Sequence, residues 1–248
     1  VIISHEFPSS FRVNDNIIVI VLVLVFMVVN PKYVFIRSIA MEQITHKELA
    51  RAAARSYDAY TFSTNECEVL VELKKDQQVI AIRGTEGGQL ISGLGFMDVI
   101  RDMRFIPWYH PVLGWAHSGF LKGAVRITED LKSHIYKDKP VVLTGHSLGA
   151  ALALIVGMLL KHDGYEVVEY VGFACPRTFV YNKQRHNEDT SVRFPITIYR
   201  YEDDIVPMVP FAFPFYYHHP VELSQLGNGD GTPSISDHSM TNYENAVS

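Results

Sequence analysis

The sequence predicts an α/β fold: a mostly parallel central sheet flanked by helices. Three observations carry that expectation. Strand-like runs alternate with helical periodicities from residue 45 to the C-terminal region. Residues 140–144, "PVVLT", read as a short strand buried within the sheet. That strand runs directly into "GHSLG" and then into a long apolar helix, 148–162, a seam that a plain turn does not explain.

Taken in order, Thr45-x-x-Glu48 is a capping box, each side chain serving an orphan N–H at a helix start. Leu49, Ala50, Ala53 and Tyr57 follow on one face of that helix. "CEVLVEL" (67–73) and "QVIAIRG" (78–84) read as two strands around the turn Lys75-Asp76-Gln77. Residues 86–95 are glycine-rich and loop-like, and lead into the amphipathic stretch 96–108. Residues 119–136 read as a helix with Phe120, Ala124, Ile127 and Leu131 on one side. "EVVEYVGFACP" (166–176) and "ITIYRYEDD" (196–204) are two further strands.

The chain has 248 residues, 48% of them hydrophobic and 20% charged, which suits one globular domain with a large core. A net charge of −5 supplies no basic field, so nucleic acid is not an expected partner. The two cysteines, Cys67 and Cys175, exclude a disulfide-dense scaffold, and the absence of CxxC excludes a cysteine-based zinc site. No HExxH, EF-hand or Walker loop occurs, so neither a metal nor an organic cofactor is expected. Residues 1–40 read apart from residues 41–248, the expected catalytic domain. Residues 17–29 are thirteen consecutive apolar residues, short of the ~20 that span a bilayer as a helix. Three readings stand: a secretory signal or anchor with Ser38-Ile39-Ala40 as cleavage site, sequence upstream of a start at Met41, or a buried piece of the fold. A secreted or membrane-associated location follows only from the first.

Strand, Gly145-His146-Ser147-Leu148-Gly149, then helix is the nucleophile-elbow pattern of the α/β-hydrolase fold. The turn is so tight that side chains at the positions two before and two after the serine would collide, hence Gly145 and Gly149. The serine is forced into strained backbone at the strand's C-terminal edge and sits at a helix N-terminus, where free N–H groups favour a developing anion. The competing reading is an ordinary strand-to-helix turn capped by a serine. A nucleophilic serine needs a base and an orienting acid, in the chain order Ser, Asp/Glu, His. Glu202, Asp203 and Asp204 end a strand and can supply the acid; they equally suit a solvated strand end. His218, His219 and His238 lie far enough along for the base, and spacing favours His238 in its polar loop.

Eight segments then occur in the order of one family: "AIRGT" (81–85), "DMRFIPW" (102–108), "HSGF" (117–120), "LTGHSLGAALA" (143–153), "CPR" (175–177), "DDIVPMVP" (203–210), "YHHPVEL" (217–223) and "DHSMTNY" (237–243). Together they resemble the class 3 lipases, the fungal triacylglycerol lipase type of α/β-hydrolase. The resemblance implies Ser147 as nucleophile, Asp204 as the acid before Ile-Val-Pro, and His238 as the base with Tyr243 a few residues on. It implies Thr85 as the first oxyanion-hole residue, with the N–H of Leu148, the residue after the nucleophile, as the second. The histidine of "YHHPVEL" corresponds to a non-catalytic family position. Expected substrates are lipid esters, triacylglycerols above all, met at an oil–water or membrane interface without an obligate protein partner. A carboxylesterase, a phospholipase A1, a feruloyl esterase and a catalytically silent lipid-binding relative are the alternatives.

A lid is expected after the strand end Arg83-Gly84-Thr85, carrying the apolar side chains Leu90, Ile91, Leu94, Phe96 and Met97. Ordinary packing of an amphipathic segment would give the same pattern. Phe211 and Phe213, in "VPMVPFAFPFYY" (206–217), are candidates for an acyl-binding groove, or for loop core.

Overall fold

A computed structural model describes residues 43–65, 67–84, 106–180, 194–210 and 217–248. They fall within one unit, Glu42–Ser248. The expected leader (1–40), Thr85, the lid residues Leu90, Ile91, Leu94, Phe96 and Met97, and the groove residues Phe211 and Phe213 lie outside the described residues.

The chain opens with helix α1 (His46–Arg55), started by the capping box: the Thr45 side chain accepts from the Glu48 N–H, and Glu48 returns the bond to the Thr45 N–H at 2.8 Å. Three strands follow, β1 (Phe62–Ser63), β2 (Glu68–Lys74) and β3 (Gln77–Ile82), paired antiparallel in succession. The sheet then continues parallel from β3 through β6 (Val141–His146), β7 (Val167–Phe173) and β9 (Ile196–Tyr201) to β11 (Ser224–Leu226). This gives seven strands in the order β1-β2-β3-β6-β7-β9-β11. A second sheet, β4 (Pro107–His110), β5 (Gly114–His117), β8 (Phe179–Val180) and β10 (Tyr217–His218), is antiparallel throughout. The remaining helices are α2 (Ser118–Leu131), α3 (Leu148–His162) and α4 (Met240–Ala246).

Strand alternation builds two cores on the large sheet. Ile80 and Ile82 of β3, with Val141 and Leu143 of β6, pack against α2 and α3; Val79, Ala81 and Val142 pack on the opposite side against α1 and α4. A strand covered on both faces buries apolar side chains on either side, which is why Val79–Ile82 and Val141–Leu143 read as continuous runs. Helix α3 is buried almost all round, and removing side chains such as Leu154 and Ile155 from water stabilises the fold by about 1.5–3 kcal/mol each. Among the described residues no helix is long and apolar enough to cross a membrane.

Three expected spans need correction. The strand expected over 166–176 ends at Phe173, where Ala174 takes φ 52°. The helix expected over 119–136 ends at Leu131, because Ser133 turns its hydroxyl onto the Asp130 carbonyl at 2.8 Å. The chain then bends, and Ile135 re-enters the core outside any helix. The strand expected over 196–204 ends at Tyr201; Glu202 adopts φ 40° and the chain turns, leaving Asp204 on a loop.

Replacing Thr45 with Ala removes the cap without touching the core. We expect a loss of about 1 kcal/mol in urea unfolding, with unchanged near-UV circular dichroism.

Candidate active site

Ser147 sits between β6 and α3 with φ 56° and ψ −129°, a left-handed conformation that costs of order 1–3 kcal/mol in a residue bearing a side chain. The surroundings hold it there. Its N–H bonds the Phe173 carbonyl at 3.0 Å, and its own carbonyl accepts from the Ala150 N–H at 3.0 Å. The Tyr170 hydroxyl donates to the Ala150 carbonyl at 2.8 Å, fastening the first turn of α3 to β7. A Cβ on Gly149 would run into the Ile82 carbonyl oxygen, and one on Gly145 would lie 2.6 Å from the Gly149 carbonyl. The two glycines therefore let β6 and α3 approach β3 and each other closely enough to form the turn.

His238 reaches Ser147 from a short 3-10 turn, Ser236–His238, that precedes α4. Its Nε2 lies 2.9 Å from Ser147 Oγ and its Nδ1 2.9 Å from Asp204 Oδ2. A carboxylate only accepts, so Nδ1 carries the proton and the Nε2 lone pair faces the serine hydroxyl. Asp204 is fully buried, while Ser147 and His238 are each 4% exposed. A buried carboxylate is costly unless its lone pairs are occupied. Here Oδ2 accepts from His238 and, at 2.6 Å, from the Tyr243 hydroxyl, and Oδ1 accepts from the Val206 N–H at 2.9 Å. Burial, and then the neighbouring Asp204 charge, push the Tyr243 phenol well above its ordinary pKa, so it remains a donor.

Among the sequence candidates, the structure brings Ser147, Asp204 and His238 together. It turns Asp203 away, to accept from the Gly231 N–H at 2.7 Å, and points His219 Nε2 at the Pro207 carbonyl at 2.8 Å. Leu148 is the first residue of α3, where backbone N–H groups have no acceptor within the helix. Thr85, directly after Gly84, lies outside the described residues. No cluster of three or more His, Cys, Asp or Glu that could hold a metal ion occurs among the described residues.

Three neighbours were given no role by the sequence. Tyr243 belongs to a quoted segment, yet its bond to Asp204 spans 39 residues and no local pattern announces it. His146 and Tyr57 form a pair beside the site, with the Tyr57 hydroxyl 2.8 Å from His146 Nδ1. Periodicity extends the buried face of the first helix to Tyr57; α1 in fact ends at Arg55, and Tyr57 follows it with its hydroxyl turned to His146.

A strand–serine–helix elbow, carried on a mostly parallel sheet and meeting a buried histidine and carboxylate, defines the α/β-hydrolase class. Residues 79–213, more than half of the chain, match the family Lipase (class 3), and the chain belongs to that family, whose members act on lipid esters. It is 31% identical over 147 residues to a Saccharomyces cerevisiae protein named "Putative lipase LIH1", covering 49% of this chain and 42% of that one. The chain thus spans less than half the length of this curated relative. Among solved structures, a lipase from Rhizopus microsporus var. chinensis superposes with a TM-score of 0.55 at 27% identity, covering 71% of this chain and 70% of that one. Lipase II from Rhizopus niveus superposes with a TM-score of 0.58 at 22% identity, covering 78% and 91%, a likeness of fold.

Gly149→Ala tests the elbow's packing. A methyl group against the Ile82 carbonyl forces β3 and α3 apart, and we expect thermal or urea unfolding to register a loss of about 1–3 kcal/mol.

Proposed function

We propose that this chain hydrolyses the carboxylic ester bonds of lipids, with triacylglycerols as the principal substrates, through a covalent acyl-serine intermediate. The observation that carries the proposal is the unbroken hydrogen-bonded chain from Ser147 Oγ through both nitrogens of His238 to a fully buried carboxylate, with both links at 2.9 Å. In the first half-reaction Ser147 Oγ attacks the ester carbonyl carbon while His238 Nε2 takes its proton. Asp204 holds Nδ1–H and stabilises the imidazolium without taking the proton. The carbonyl oxygen becomes an oxyanion facing the Leu148 N–H and, by resemblance, Thr85, each donor contributing about 3 kcal/mol in comparable sites. The tetrahedral species collapses as the carbonyl–alkoxy bond breaks, and His238 gives its proton to the leaving alcohol. Water then attacks the acyl-serine by the same route in reverse and releases the fatty acid. A lid carrying Leu90, Ile91, Leu94, Phe96 and Met97, and an acyl groove carrying Phe211 and Phe213, would confine this chemistry to an oil–water or membrane interface.

Ser147→Ala tests the nucleophile. Its side chain makes no cap hydrogen bond to α3, so folding should be retained while kcat falls by roughly 10⁴-fold or more. Retained turnover would remove the mechanism. The substrate class is tested separately with triacylglycerol emulsions of graded chain length and dissolved esters. We expect a jump in rate on emulsified long-chain glycerides. Rates indifferent to the interface and highest on two- to four-carbon acyl groups would make the protein a carboxylesterase.

A further inference from the structure

We propose that His146 and Tyr57 form a positioning clamp that sets the depth and orientation of His238 against Ser147. This rests on the triad proposed above and adds two residues that touch none of the reacting atoms.

His146 is the last residue of β6 and is buried. Its Nε2 lies 2.8 Å from the backbone carbonyl of His238, across 92 residues of sequence. A carbonyl only accepts, so Nε2 carries a proton and Nδ1 has the lone pair. The Tyr57 hydroxyl, 2.8 Å from Nδ1, is therefore the donor in that bond. One neutral tautomer satisfies both contacts, and the opposite tautomer would face two lone pairs across the His238 carbonyl contact. The His146 ring also stacks on the His238 ring, with centroids 4.6 Å apart and planes 29° from parallel. His238 is thus held by its main chain and by one ring face, while Asp204 and Ser147 engage its two nitrogens.

The chemistry makes this hold consequential. His238 lies on a three-residue turn, not in a long element, and its Nε2 must stay within hydrogen-bond reach of Oγ through two proton transfers. His146 is covalently next to Ser147, so its bond ties the base's backbone to the nucleophile's own strand end. Burial, and then the proximity of His238, hold the His146 pKa well below the ordinary range, which keeps the ring neutral beside an imidazolium. Burial likewise raises the Tyr57 phenol above its ordinary range, opposed by Arg83, whose guanidinium lies 5.6 Å over the Tyr57 ring, so the hydroxyl stays a donor. Tyr57 follows α1, so the clamp joins α1, β6 and the base turn.

The test uses the full chain, with p-nitrophenyl butyrate as substrate and fluorophosphonate labelling to count reactive serines. His146→Phe keeps the ring face and removes both polar contacts. It should lower kcat per labelled site by about 10- to 100-fold with KM little changed, as expected of a base displaced by a fraction of an ångström or more. His146→Gln, whose amide can reach the same carbonyl, should restore the larger part. Tyr57→Phe should lower kcat in the same sense and shift the downfield His238 Nδ1 proton resonance. Thr45→Ala, which loses stability far from the site, should change neither. Equal kcat per site in His146→Phe and the parent overturns the clamp, as does a His146→Gln no more active than His146→Phe. If His146→Phe does not fold, Tyr57→Phe decides, and an unchanged kcat and proton resonance overturn the pair. A parent protein that fluorophosphonate does not label, or a Ser147→Ala that keeps its activity, sinks the triad reading and this inference with it.

Discussion

The backbone at Ser147 is the constraint on which the rest of the site is arranged. A φ of 56° is unfavourable for any residue with a Cβ, and it persists because the flanking elements allow no other path. Strand β6 lies inside the sheet, bonded on both sides to β3 and β7, so its end cannot shift. Helix α3 leaves at once and buries nearly its whole surface, which opposes any relaxation that would lift it off the sheet. Gly149 against the Ile82 carbonyl fixes how close that departure is. Strain of order 1–3 kcal/mol is small beside the burial of a fifteen-residue apolar helix, so the fold can hold its serine in a conformation an isolated peptide would abandon.

That rigidity moves the difficulty to the partners, which come from chain far away. His238 is 91 residues from Ser147, and Asp204 is 34 residues from His238. Neither is inside a strand or a long helix. Asp204 is held instead by a parallel bridge to Ser234 and by the Val206 N–H on its Oδ1. The loop that carries Asp204 and the loop before His238 thus run side by side, and the bridge sets their register. Tyr243 adds a bond from α4 to Asp204 Oδ2, and its ring packs in the core shared with Phe173 and Tyr201. The carboxylate that accepts from His238 Nδ1 therefore also accepts from the C-terminal helix, so Asp204 joins α4 to the Ser236–His238 turn.

Much of this was legible in the residues, and the reason is periodicity and local chemistry. The capping box at Thr45, the span of α3 and the buried run of β6 depend on neighbours within a few positions, so spacing reveals them. The elbow was legible because its steric demand falls on two fixed positions, Gly145 and Gly149. Spacing did not single out Asp204: Glu202, Asp203 and Asp204 are chemically alike in a row, and only the turn after Tyr201 separates the buried one from its neighbours. The antiparallel sheet escaped the sequence because its strands are two to four residues long and two of its pairings, Phe179 with Ala116 and Tyr217 with Val180, join distant segments. The helix expected to reach residue 136 failed for a local reason too weak to see in advance, a serine hydroxyl competing for a backbone carbonyl.

His146 shows why a motif position can be informative and yet unread. In "GHSLG" the residue before the serine has no steric rule attached to it, so many side chains would satisfy the turn. What singles it out is where strand alternation sends its ring. Ile82 and Leu143 face α2 and α3, whereas the His146 ring meets Tyr57, His238 and Tyr243, on the side of the sheet that α1 and α4 cover. Three aromatic neighbours and two hydrogen bonds leave its ring little rotational freedom. The end of β6 therefore extends two arms from adjacent residues, the Ser147 hydroxyl toward the ring of His238 and the His146 imidazole toward its backbone. Because consecutive side chains on a strand point to opposite faces, only a chain that bends sharply between them can aim both at the same histidine. The strained φ at Ser147 provides that bend, so the conformation that turns the hydroxyl toward His238 also lets its neighbour reach the His238 carbonyl.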